Sequence, residues 1–220
     1  MRRSPELTCR LPACIPREAP IVKRDTGHGR TQVERREQTR AALLAAARAL
    51  FAERGFAAAG REDIVERAGV TRGALYHHFA SKEELFRAVY EQVELELTTA
   101  TMTAAVTSDD PVEQLRRGAA SFLEAASTPE VRRIVLLDAP AVLPGDLRRE
   151  LSERYGLGQV RAALGAIDAA GRLRLGPVAL LAPVVLAALH EAATLVADGA
   201  DATGVRTVVD GLVDAITTRG

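Results

Sequence analysis

R-E-D-I-V-E-R-A-G-V-T-R-G-A-L-Y-H-H-F-A-S-K-E-E-L, residues 61–85, is the stretch from which the rest of the chain is read. Its spacing gives two short helices joined by a tight turn, then the capped start of a third. Ile64 and Ala68 form the apolar stripe of the first helix. Gly69 stands where that helix must end, because glycine tolerates the left-handed backbone of a C-cap. Val70 is the expected plug of the turn. Thr71 is an N-cap whose hydroxyl can accept from a free backbone N–H. Leu75 and Phe79, four apart, make the inward face of the second helix. Ser81 caps the third, and Glu84 completes a capping box.

A helix as short as the second is not stable alone. Its outer face carries Arg72, Gly73, Ala74, His77 and His78. Small residues beside hydrogen-bond donors suit a helix that enters a DNA major groove. Turn chemistry by itself leaves a plain helical hairpin within a larger bundle equally open.

The bulk numbers narrow the class. The chain has 220 residues, 47% hydrophobic and 26% charged, with 4% aromatic residues and no Trp. Alanine and leucine dominate and β-branched alternation is rare, so the fold class is all-α. Net charge is zero, but the charge is divided. Through Tyr90 there are 17 Lys and Arg against 11 Asp and Glu, net +6; from Glu91 on there are 12 against 18, net −6. A basic front half marks the part that would meet a polyanion, with chance asymmetry the plainer alternative. Cys9 and Cys14 have no His or Cys cluster beside them, so neither a disulfide framework nor a metal site is implied, and no cofactor is expected.

No apolar leader follows Arg2 and Arg3, and the longest apolar run, residues 177–189, is too short to span a bilayer. No membrane partner and a cytoplasmic location are expected. Residues 1–33, with Pro5, Pro12, Pro16 and Pro20, read as a disordered tail. A supporting helix follows over residues 33–54 and stops at Gly55. Further helices are expected over 82–106, 111–127, from 128 to about 143, 146–170, 178–197 and 202–217, about nine in all. Gly156 and Gly158 weaken or kink the 146–170 helix, and Pro183 kinks the next or shifts its start to about Leu180. The domains are then a helix-turn-helix unit over 34–81 and a helical body over 82–220.

At A-G-V-T-R-G-A-L-Y-H-H-F-A-S-K-E-E-L-F, residues 68–86, together with Leu50-Phe51, Gly55-Phe56 and Asp63-Ile64, the chain resembles the TetR family of bacterial transcriptional regulators. The resemblance implies a family-type DNA-binding domain over 37–97 with its motif at 60–79. It implies that Thr71, Arg72, Gly73 and Ala74 face base edges. It implies that Tyr76, His77 and Lys82 hold phosphates of double-stranded DNA at a palindromic operator. Three positions depart from the family pattern. Ala59 and Gly60 stand where a hydroxyl residue usually caps the second helix, which weakens that cap by roughly 0.5–1 kcal/mol. Arg61 replaces a usual apolar residue, and either supplies the lost phosphate contact or is simply solvated.

The same resemblance implies a homodimer through the last two helices and a small-molecule effector pocket among the middle ones. Phe122, Leu136, Leu137 and Tyr155 are the apolar or amphipathic pocket candidates, suggesting a lipophilic effector, although each serves equally well as core. Asp138 and His190 are polar points in apolar surroundings. Control by a protein partner is the alternative. Enzymatic chemistry finds no support. His190-Glu191 lacks the second His of a zinc-protease helix, Ser121 and Ser152 lack a glycine elbow, and no glycine-rich phosphate loop occurs.

Overall fold

The structure, a computed structural model, describes residues 31–218. Among these, every long element is a helix. They are α1 (Gln32–Ala58), α2 (Arg61–Ala68), α3 (Arg72–His78), α4 (Lys82–Ala105), α5 (Pro111–Ala126), α6 (Pro129–Val131), a π-helical segment (Arg132–Asp138), α7 (Ala139–Val142), α8 (Gly145–Arg154), α9 (Gly156–Ala169), α10 (Val178–Ala197) and α11 (Ala202–Ile216). The expected tail lies outside the described residues, except for Thr31 and for residues 32–33, which already belong to α1. Thr31 caps that start. Its hydroxyl accepts from Glu34 N–H and the Glu34 carboxylate accepts from Thr31 N–H, a box visible in the sequence as T-x-x-E.

Gly55 breaks α1 as expected, but as a kink with one further turn beyond it. Its backbone, φ 77° and ψ 167°, is open essentially to glycine alone. The kink swings Phe56 under the head, where its ring meets Phe51 at 5.9 Å and Phe86 at 5.2 Å; Phe51 and Phe86 are themselves 5.2 Å apart. Burial of such rings stabilises by about 1.5–3 kcal/mol each. This aromatic cluster joins α1 to α4. It is continuous with Leu43, Leu50, Ile64, Leu75 and Phe79 beneath the helix-turn-helix and with Val89 and Val93 along α4.

The body departs from expectation in three places. The apolar 128–143 stretch is interrupted by seven residues of π-helix, and Pro140 does not end it but sits inside α7. The stop comes at Leu143, held extended by the following Pro144. The long helix around the two glycines is instead α8 and α9, separated at Tyr155 by a non-helical backbone. Gly158 fits there because a Cβ would lie 2.3 Å from the Glu153 carbonyl oxygen. Finally, α10 spans Val178–Ala197 as expected, with Pro183 inside it, so its start is not shifted to Leu180. At 20 residues it is long and apolar enough, by length and composition, to cross a membrane. The 13-residue apolar run understated it, because the helix continues past His190 and Glu191. Ala182, Leu189, Ala192 and Ala193 are nonetheless buried within the bundle. Leu180, Val184 and Leu195 stay exposed on it, beside exposed Val208 and Leu212 of α11.

Candidate nucleic-acid interface and body cavity

The turn between α2 and α3 forms as its residues dictate. Gly69 is left-handed at φ 65° and ψ 31°, and Val70 N–H returns to the Val65 carbonyl at 3.2 Å. Val70 is half-buried against the core. Thr71 Oγ1 accepts from Ala74 N–H at 3.2 Å, fixing the start of α3. Leu75 and Phe79 are buried, and this turns Thr71, Arg72, Gly73, Tyr76 and His77 outward, with Ala74 half-buried. Ser81 Oγ accepts from Glu84 N–H at 3.1 Å, but the Glu84 carboxylate takes the Ala80 N–H rather than that of Ser81.

Gly60 offers no side chain to cap α2. The return half of the box survives, because Asp63 Oδ2 accepts from Gly60 N–H at 3.3 Å and from Arg54 Nη1 at 3.2 Å. Arg61 is not simply solvated. Its guanidinium donates to the Tyr76 hydroxyl at 3.2 Å and lies 5.8 Å from the ring centre. Arg72 approaches the same hydroxyl at 3.5 Å and the ring at 5.7 Å. Two guanidinium groups thus flank one exposed phenol, and their hydrogen bonds, Arg72 first, hold its pKa below the usual value. The exposed Arg72–Glu62 pair at 3.2 Å adds little in water. Lys82 donates to the Ala57 carbonyl at 3.4 Å with its ammonium 4.4 Å from the Phe56 ring centre, and burial lowers its pKa. The result is a cation-rich strip along the start of α2, α3 and the start of α4, with Lys82 set against the aromatic cluster.

The front of the chain, residues 43–89, matches the sequence profile of the tetR family of bacterial regulatory proteins, and residues 112–217 match that of the tetracyclin repressor-like C-terminal domain. A solved TetR-family transcriptional regulator from Pectobacterium atrosepticum is 33% identical, with a TM-score of 0.69 over 86% of this chain and 99% of that one. The chain belongs to the TetR family. It is a DNA-binding transcriptional regulator of the helix-turn-helix type. Among curated relatives, the transcriptional activator FasR of Mycolicibacterium smegmatis is 38% identical over 89 residues, 40% of this chain and 41% of that protein. The transcriptional repressor KstR2 of Mycobacterium tuberculosis is 56% identical over 46 residues, 21% of this chain and 23% of that one. The chain thus matches less than half the length of these two curated relatives.

Behind its DNA-binding head, the TetR-family body holds a cavity of about 870 Å³ between α4, α5, α9, α10 and the π-helical segment. Of the six pocket candidates, Phe122, Leu136 and His190 line it. The ring of His190 lies 5.6 Å from that of Phe122, and loss of solvent pushes its pKa down, favouring the neutral form. The other three do not line it. Leu137 is 41% exposed, on the outer face of the π-turn. Tyr155 packs on the core at the α8–α9 break. Asp138 faces the head, where its carboxylate accepts from Phe56 N–H at 2.7 Å and meets Arg133 Nε at 3.4 Å. Within the π-helical segment Val135 and Leu136 line the cavity while Leu137 and Asp138 do not.

Sequence reading missed Glu94, Tyr90 and Gln159, all in the cavity wall. Tyr90, Glu94, Leu97 and Thr101 recur at helical spacing along α4, and that register was the available signal. Gln159 is bonded to α4 twice, accepting from Thr101 Oγ1 at 2.9 Å and donating to the Thr98 carbonyl at 3.1 Å.

Proposed function

We propose that this regulator acts as a homodimeric repressor that sits on a palindromic operator and is released by a small lipophilic effector held in the body cavity. In this reading α3 enters the major groove. Thr71, Arg72, Gly73 and Ala74 meet base edges, while Tyr76, His77, Lys82 and Arg61 grip phosphates. Arg61, stacked on Tyr76, takes the place of the missing hydroxyl cap by bringing its own charge to the same spot.

The observation that carries effector control is the π-helical segment. Val135 and Leu136 on it, with Ala139 just beyond, line the cavity, while Asp138 on it binds the backbone at Phe56 in the head. A ligand that displaces this segment alters the seat of the head. It shifts the equilibrium only by its difference in affinity for the two arrangements. Support for the dimer comes from the exposed stripe of Leu180, Val184, Leu195, Val208 and Leu212 on two adjacent helices, apolar surface that a second copy would cover. Dimerisation sets two α3 helices about one DNA turn apart.

The relatives named above include an activator and a repressor, so the sign of regulation rests on experiment. A gel shift with DNA from beside the gene, at stated salt, tests the reading. Sequence-preferring binding by a dimer, relieved by a compound that also raises the melting temperature, is the expected result. Absence of preference for any nearby palindrome sinks it, and release only by a protein partner would remove the effector.

A further inference from the structure

We infer that the cavity takes an organic cation, a lipophilic amine whose ammonium group pairs with Glu94. The inference rests on the reading of the cavity as an effector site and adds the chemistry of its ligand.

Glu94 is only 7% exposed, yet its side chain lines the cavity. Among the described residues only the Tyr90 hydroxyl, one turn away on α4, bonds it, and no cation stands against it. An unpaired carboxylate in such surroundings is costly, and a partner cation is what relieves that cost. The other polar groups deep in the wall do not carry charge. Thr101 and Gln159 satisfy each other, and desolvated His190 favours its neutral form. Arg148 and Arg149 also line the cavity, and Arg148 is felt at the Tyr90 hydroxyl but not at Glu94; both are exposed, so water and salt screen them. Glu191 is exposed in the same way and adds no buried charge.

The interior therefore offers one buried carboxylic acid against an apolar wall that includes Leu97, Met102, Phe122 and Leu186. An amphipathic amine matches this arrangement at both ends. A carboxylate ligand would oppose ionisation of Glu94, and a neutral ligand would leave the acid protonated. Burial raises the Glu94 carboxyl above its ordinary range. As an ammonium group enters, Glu94 ionises and its proton passes to solvent.

The test uses the full chain with decylamine, decanol and decanoate, each below micelle formation. Titration calorimetry reads binding and a gel shift reads operator release. Decylamine should bind at least about tenfold more tightly than decanol, with decanoate weakest. Glu94→Gln should lose about thirtyfold in decylamine affinity while keeping its decanol affinity and its operator binding, the latter serving as the check of its fold. Should that variant fail to fold, the ranking of the three compounds on the wild type decides. Decanol or decanoate binding as tightly as decylamine, no decylamine binding at all, or Glu94→Gln retaining the amine would each overturn the inference. If decanol or decanoate binds as tightly as decylamine and releases operator DNA, the cavity is an effector site of different chemistry and only this inference falls. If decylamine binds through Glu94 without touching the DNA equilibrium, the cation site stands and the effector reading fails.

Discussion

The backbone N–H of Phe56, in the DNA-binding head, donates to the carboxylate of Asp138, in the π-helical segment of the body, at 2.7 Å. Eighty-two positions separate the two residues, and the bond fixes the head where α1 kinks. It is seconded by Arg48, which bridges Glu96 of α4 and Glu130 of α6 at 2.7 and 2.6 Å. Asp138→Ala should leave the Phe56 N–H unsatisfied and cost about 1–3 kcal/mol in urea unfolding. It should also reduce the factor by which effector changes operator affinity. An unchanged factor would assign the coupling to another pair of residues.

Gly55 next to this bond is strained for any other residue. Its φ is 77°, and an added Cβ would lie 1.9 Å from the Arg133 guanidinium. Gly55→Ala should destabilise the chain by about 1–3 kcal/mol. Adding Arg133→Ala frees the space but not the backbone, so denaturation of the double variant should show most of the loss remaining.

Phosphate-gripping and base-reading side chains should separate in DNA binding. Lys82→Ala should weaken binding to every sequence and flatten the logarithmic salt dependence by about 0.9 for each phosphate it no longer neutralises. Arg72→Ala should instead erase about 1–3 kcal/mol of discrimination at one base pair. Equal losses on operator and random DNA for Arg72→Ala would place it on the phosphate backbone. Since Arg72 also flanks Tyr76, comparison with Tyr76→Phe separates the two roles.

Val184→Glu and Leu212→Glu each place a charge on the exposed apolar face of α10 and α11. Sedimentation should shift toward monomer, and operator affinity should fall although α3 is untouched. A dimer that persists in both variants would move the interface elsewhere.

Burial raises the Glu94 carboxyl above its ordinary value of 4.5, so folding favours the protonated acid. A raised acid contributes its stability in full below that ordinary value and loses it as pH rises through the folded value. Glu94→Gln keeps the shape and stays neutral. It should therefore match the wild type near about pH 4 and gain on it toward about pH 8, as thermal melts would read. A constant difference across that range would mean that the carboxyl is not desolvated in solution.

Most of the helical order was legible because it is written in local chemistry. Thr71 and Ser81 cap where they stand, Gly69 turns left-handed, and the Leu75–Phe79 pair faces inward, each set by neighbours within a turn of helix. Glu94 was legible in principle through its register with Tyr90, Leu97 and Thr101. Asp138 was not, because its direction depends on a π-turn and on a partner, the Phe56 N–H, that lies 82 positions away.

For residues 61–85 the sequence alone determined a capped helix, a reversing turn and a second helix with a small, donor-bearing outer face. Short-range hydrogen bonds and a helical period of about 3.6 suffice for that. Tertiary structure alone decided that Arg61 stacks on Tyr76 instead of standing free. It alone decided that Asp138 grips Phe56 instead of lining a pocket, and that one acid is sealed into the cavity wall. These outcomes depend on which distant side chains arrive at the same place, and on how much water their arrival excludes.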